Sequence, residues 1–292
     1  MKCEAKDNRA NRGLHPVCML MDNGSLRPQP TLRLRSIAGK LSAQSEIRVA
    51  PVSILHSNRV HPSKLEGERA EVAASFIDMA LAAGERDFVC LPFFLGPSLA
   101  LTEYLPQLFK ERLAEHPDLR YVIADPIAGA QVTSPDSRMI EALARRVEDV
   151  IEINHWQRPA VALVDHGTPV RAVNQVREAT ADALAQCLGE RVSAVKGFAM
   201  ERKPGEDYAF NEPMLENLRD VPGFQTGPVV VAMFFLLEGR HAGPEGDVAA
   251  ICADVTERNP QAGPIRMTAL LGSTDWLVPL LADRLEAALR LR

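Results

Sequence analysis

The sequence of 292 residues has no CxxC pair, and its five cysteines, Cys3, Cys18, Cys90, Cys187 and Cys252, are odd in number and widely scattered. That spacing argues against a zinc or iron–sulfur ligand set and fits a reducing cytoplasm. A basic excess is missing too. With 33 Lys and Arg against 38 Asp and Glu, the formal net charge is -5, so the chain lacks the positive footprint of a nucleic-acid binder. No apolar run approaches the roughly 20 residues that span a bilayer, and no apolar segment follows the N-terminal charges as in a signal peptide. What is present is 46% hydrophobic residues, enough for a sizeable core. The expectation is a cytoplasmic protein acting on small molecules, a monomer or homodimer, with no nucleic-acid or membrane partner.

Residues 1–45 are rich in Arg, Asn, Pro and Ser and show neither alternation nor a helical stripe. They are expected to be disordered, with Met19 and Met21 as alternative starts. From residue 46, short apolar runs alternate with segments at helical spacing. The order is RVAPVSIL, a helix over 64–83, DFVCLPFFLG, a helix over 99–115, LRYVIADPI and a helix over 136–152. A second series follows: PAVALVD, a helix over 170–188, RVSAVKGFAM, a short helix over 214–219, PVVVAMFFLL, a helix over 247–258, PIRMTALLG and a helix over 275–289. Continuous apolar strands separated by helices predict an α/β fold with mostly parallel sheets covered on both faces.

The two series resemble each other. RVAPVSILHSN matches PAVALVDHGTP, LPFFLGPS matches AMFFLLEGRH, and DSRMIEALARRVEDVI matches STDWLVPLLADRLEAAL. Two similar halves are therefore expected, 46–156 and 157–292. On this matching the first half is shorter by about one strand–helix unit and lacks a counterpart of RVSAVKGFAMERKPGEDYAFNEPMLENL.

Three residues of the second half fall at the carboxyl ends of predicted strands, where parallel sheets bind ligands: His166, Glu201 and His241. Two imidazoles with a carboxylate suit a borderline divalent ion, and so few protein ligands would leave positions open for exchange. Glu212 and Glu216 compete with Glu201 for the carboxylate role. His56 and His61 read as structural or substrate-edge residues, and His15, His116, His155 and the cysteines as non-catalytic.

VDHGTP, from Val164 to Pro169, and FFLLEGRHAGPEGD, from Phe234 to Asp247, resemble the strand-end elements of the class II tetrapyrrole chelatases, the sirohydrochlorin chelatases of the CbiX type. The resemblance implies a lyase with two chelatase-like halves that inserts Co2+ or Fe2+, with Ni2+ as a further candidate, into sirohydrochlorin for cobalamin or sirohaem synthesis. The metal is a substrate and no nucleotide takes part. His166, His241 and Glu201 become the catalytic and metal-holding residues, and the tetrapyrrole lies in the cleft between halves. An imidazole, with an ordinary pKa of about 6.5, can both hold a metal loosely and handle protons near neutral pH. The substrate carboxylates call for cations, for which Arg240, Arg202 and Lys203 are candidates, and Gly167, Gly239 and Gly243 would let the backbone approach a flat macrocycle. Arg240 could instead pair with Glu238 or Asp247. LHSN in place of HG[ST], and Ser98 in place of the second histidine, mark the first half as degenerate, retained as the opposite wall. A non-catalytic metal or tetrapyrrole carrier is the alternative.

Overall fold

The computed structural model describes residues 16–273 and 276–292. The first series of elements is β1 (Val17–Asp22), α1 (Pro28–Ser45), β2 (Val49–Ser53), β3 (Glu71–Val72), α2 (Ala73–Ala82), β4 (Asp87–Pro92), α3 (Leu105–Leu113), β5 (Arg120–Ile123) and α4 (Ser137–Asn154). The second is β6 (Ala160–Asp165), α5 (Arg171–Leu188), β7 (Ala194–Ala199), β8 (Val229–Met233), α6 (Asp247–Arg258), β9 (Ile265–Met267) and α7 (Leu277–Arg290). They build two sheets, in the orders β3-β2-β1-β4-β5 and β7-β6-β8-β9. Every pairing within them is parallel. β6 and β8 are buried along their whole length, which is why they read as unbroken apolar runs instead of alternating ones.

The expectation of disorder before residue 46 is overturned for residues 16–45; residues 1–15, including His15 and Cys3, lie outside the described residues. Here β1 is the central strand of the first sheet, with Met19, Leu20 and Met21 fully buried. Its VCMLMD sequence hides this for two reasons. A strand covered on both faces shows no alternation, and Cys and Met lack the β-branched signature of a strand. In α1, Leu34, Ile37, Ala38 and Leu41 form a buried stripe at helical spacing, interrupted in the sequence by arginines. Those arginines make specific contacts: Arg33 Nε donates to Gly272 O at 2.9 Å, and Arg35 Nη1 to Leu65 O at 2.8 Å. Composition therefore mistook packed guanidinium groups for solvated ones.

Recovering β1 also corrects the repeat. Matched by sheet position, β1 pairs with β6, β2 with β7, β4 with β8 and β5 with β9. The first half lacks no strand–helix unit; RVAPVSIL is the counterpart of AVKGFAME, from Ala194 to Glu201, and the counterpart of VDHGT is MDNGS, from Met21 to Ser25. The backbone bears this out. Ile54 N donates to Asp22 O as Met200 N donates to Asp165 O, and Leu55 N donates to Asn23 O as Glu201 N donates to His166 O. Phe93 N to Met21 O repeats Phe234 N to Val164 O. Apolar similarity alone let one strand substitute for its neighbour, because buried parallel strands look alike.

The halves are also less separate than a boundary at residue 156 suggests. Helix α4, from the first series, packs on α5 and β8 of the second sheet, while α7, the last helix, packs on α1 and β4 of the first. One apolar core runs through both, from Leu20 and Leu91 to Leu163 and Ala232. Smaller differences follow from turns. The segment 64–83 is helical only from Ala73, since Glu71–Val72 pairs with β2 first, and β8 ends at Met233 so that Phe234 to Leu237 lie past the strand.

Candidate metal centre

The carboxyl ends of β6, β7 and β8 carry His166, Glu201 and His241 to one place. His166 Nε2 lies 3.2 Å from Glu201 Oε1, and the two imidazole centroids are 4.5 Å apart with planes at 74°. All three side chains are partly open to solvent, at 45%, 59% and 31% exposure. Among the described residues no three His, Cys, Asp or Glu side chains stand in a ready metal-holding group.

The other ring nitrogens are engaged. His166 Nδ1 is 3.1 Å from Gly167 O, and His241 Nδ1 is 2.7 Å from Asp247 Oδ2. A ring N–H given to a carboxylate fixes the tautomer and leaves the Nε2 lone pair of His241 for an electrophile, the arrangement typical of metal-ligating histidines. Asp247 opens α6, six residues after His241, so helix and ligand loop are built as one unit.

A buried polar network holds the His166 loop. Arg177 of α5, fully buried, donates from Nη1 to Asp165 Oδ1 at 3.0 Å and from Nη2 to Asn211 O at 3.1 Å. The same Asp165 oxygen accepts the Gly167 N–H at 3.0 Å. Asn211 Oδ1 accepts from Thr168 N, and its Nδ2 donates to Thr168 O, both at 2.9 Å. Burial pushes the Asp165 carboxyl up from its ordinary range, and the Arg177 guanidinium opposes that. Gly167 is obligatory here: at φ +87° an ideal Cβ would lie 1.8 Å from Glu201 O. The absent side chain lets the β6 and β7 loops touch.

The expected carboxylate-binding cations fare differently. The Arg202 guanidinium donates to Glu212 Oε1 at 2.8 Å and to the Gly205 carbonyl at 3.1 Å. Glu212 Oε2 also accepts from Met214 N at 3.1 Å. Arg240 is 81% exposed, with Nε 3.6 Å from Asp247 Oδ2. Lys203 lies over the Tyr208 ring, and Arg171, which the sequence reading missed, lies 4.6 Å over the Phe210 ring at the start of α5. Gly239 gives its carbonyl to Arg27 Nη1 at 2.7 Å, so the first half grips the loop that carries His241. His56, at φ +70°, and His61, which caps a 3-10 turn, hold loop structure.

A cleft of about 560 Å³ runs beside His166. Its second-half wall includes Gly167, Thr168, Val170 and Phe234, and its first-half wall Asn23, Phe94, Ser98 and Leu99. That volume falls within the usual range of small-molecule sites, roughly 300–1,000 Å³. Arg177, Asn211 and Asn23 went unnoticed in the sequence, and Asp247 was read as a partner of Arg240 and not of His241; only the MDNGS and VDHGT echo could have pointed to Asn23.

No family model and no curated protein sequence matches the chain. Solved structures do. SirB from Bacillus subtilis with Fe3+ superimposes with a TM-score of 0.65 at 12% identity, over 94% of this chain and 95% of that one. CbiX, described as the terminal enzyme for biosynthesis of siroheme in denitrifying bacteria, gives 0.59 at 14% identity, over 94% and 99%. DR2241 from Deinococcus radiodurans, a multi-domain protein with structural similarity to chelatases, gives 0.57 at 14% identity, over 93% of this chain and 54% of that one. The chain has the class II chelatase fold.

Proposed function

We propose that the chain is a sirohydrochlorin chelatase, a lyase that inserts Co2+ or Fe2+ into the macrocycle in cobalamin or sirohaem synthesis. The observation that carries this reading is the convergence of His166, His241 and Glu201, with imidazole centroids 4.5 Å apart and a 3.2 Å imidazole–carboxylate contact, beside the inter-half cleft that His166 lines. Structures of SirB with Fe3+ and in complex with cobalt support the metal class. Nothing in the proposal calls for a nucleotide. Among the described residues no helix is long and apolar enough to cross a membrane.

Insertion exchanges two pyrrole N–H protons for one divalent ion. In this reading the His166 and His241 Nε2 atoms hold the incoming ion through borderline nitrogen donors, firmly enough to desolvate it and loosely enough to give it up. Asp247 keeps the His241 proton on Nδ1. Glu201, exposed beside His166, completes the metal site or accepts a released proton. Arg240, Lys203 and Arg171 provide positive charge for the carboxylates on the rim of the substrate.

The test is spectroscopic. Purified chain is mixed with sirohydrochlorin and Co2+, Fe2+ or Ni2+, and the absorbance change is compared with the uncatalysed rate. Acceleration with one metal assigns the substrate. A background rate together with tight macrocycle binding would make the chain a carrier.

A further inference from the structure

The internal repeat gives the metal centre a neutral mirror. Asp22-Asn23-Gly24-Ser25 follows β1 as Asp165-His166-Gly167-Thr168 follows β6. The two turns have the same shape: Gly24 and Gly167 both sit at φ +87°, with ideal Cβ positions 1.7 Å from Leu55 O and 1.8 Å from Glu201 O. In this register Asn23 occupies the position of His166, and Leu55 that of Glu201. Ser98 lies between β4 and the helix that follows it, as His241 lies between β8 and α6.

The mirror has kept its backbone and lost its metal chemistry. Amide, alkyl and hydroxyl groups are poor donors for a borderline divalent ion. Yet Asn23 lines the same cleft as His166, it is exposed, and its side-chain amide, unlike its backbone carbonyl, has no hydrogen-bond partner among the described residues. On the same wall Ser98 Oγ is buried without a partner. The surroundings are apolar, with Phe93, Phe94, Leu95 and Leu99. An exposed amide with no protein partner, on an apolar wall of the cleft that His166 also lines, suits a ligand that brings its own hydrogen-bond donor.

We infer that Asn23 contacts the face of the macrocycle opposite the metal, its Oδ1 accepting an inner pyrrole N–H of the metal-free form. This rests on the chelatase reading. A metal-free tetrapyrrole has such N–H groups; the metallated product has none. An acceptor on the far face draws the N–H groups away from the ion and turns nitrogen lone pairs toward His166 and His241. Asn23 takes no proton, since the amide is not a base at these pH values; the two protons leave by Glu201 or water. After insertion Asn23 loses its partner, so the site favours substrate over product and promotes release. A site built to hydrogen-bond one form disfavours the form lacking that group.

Asn23→Leu removes the acceptor at similar size, on an exposed loop where folding is unaffected; a thermal melt checks this. Binding of metal-free sirohydrochlorin and of its cobalt complex is measured for both chains, with Co2+ affinity measured separately. The expected result is about a fivefold to tenfold loss of affinity for the metal-free form, from loss of one hydrogen bond. Affinity for the cobalt complex and for Co2+ alone stays unchanged, and Asn23→Gln restores part of the discrimination. Equal weakening toward both macrocycle forms, or no change in either, overturns the role of Asn23 while leaving the chelatase reading intact. Failure of the wild-type chain to bind either form overturns both.

Discussion

Arg177 and Asp165 form an ion pair at 3.0 Å in which the guanidinium is fully buried, and Asp165 immediately precedes the exposed His166 in the chain. The pair is part of the wall that holds His166, because the same carboxylate oxygen also takes the Gly167 N–H. Removing the cation alone strands a buried carboxylate. Arg177→Met should cost about 3–5 kcal/mol of stability, the usual result of breaking a buried pair. The double change Arg177→Met with Asp165→Asn should cost less, since no charge is left unpaired. Urea unfolding of the three chains checks the order; equal losses in single and double variants would remove the ion pair as the cause.

His166→Ala and His241→Ala should each lower metal insertion by at least about 100-fold, the lower end for a group acting directly in proton or metal transfer. The double variant should lose little more, as for groups working as a unit. Asp247→Asn should weaken metal affinity by about 10–100-fold, the usual effect of removing the carboxylate behind a histidine ligand. Titration with Co2+ and initial insertion rates measure these. Full activity in either single histidine variant would refute a shared ion.

The paired glycines provide an internal control. Gly24→Ala and Gly167→Ala each place a methyl group on a neighbouring carbonyl oxygen, at an ideal 1.7 and 1.8 Å. Each should destabilise the chain by about 1–3 kcal/mol, the scale of local backbone strain. Only Gly167→Ala should also reduce metal affinity, because the carbonyl it displaces belongs to Glu201. Melting curves and Co2+ titration of both variants decide the point.

Asp22 is the counterpart of Asp165 without its cation: Leu34 stands where α5 has Arg177, and Asp22 Oδ1 has no partner. Burial pushes its carboxyl up, against the hydrogen bonds from Ser53 and Gly24. Below the ordinary aspartate value of 3.8 both folded and unfolded chains hold the proton, and the native state carries no penalty. As pH rises above that value the unfolded chain ionises first, so stability falls until the raised native value is passed. Asp22→Asn should therefore be more stable than wild type near neutral pH, by about 1–2 kcal/mol on the scale of an unsatisfied buried group. The advantage should vanish toward acid pH. A constant difference across the range would exclude ionisation of Asp22 as its origin.

Local physics made much of this protein legible in its sequence. Unbroken apolar strands such as VVVAM require cover on both faces, helical spacing supplies that cover, and chain direction in a parallel sheet sends His166, Glu201 and His241 to the same edge. Those constraints act over a few residues each, so a sequence carries them openly. Tertiary structure alone decided the rest. Whether VCMLMD is a tail or the central strand depends on neighbours far along the chain, and so does the register of the repeat that follows from it. Arg202 reads as a free cation until the 201–213 segment folds back and gives it Glu212; Arg177 reads as a surface residue until Asp165 and Asn211 close around it. The fate of a polar group depends on whether burial removes its water and which partner replaces it, and for these residues the partners lie ten or more positions away and meet only in the fold.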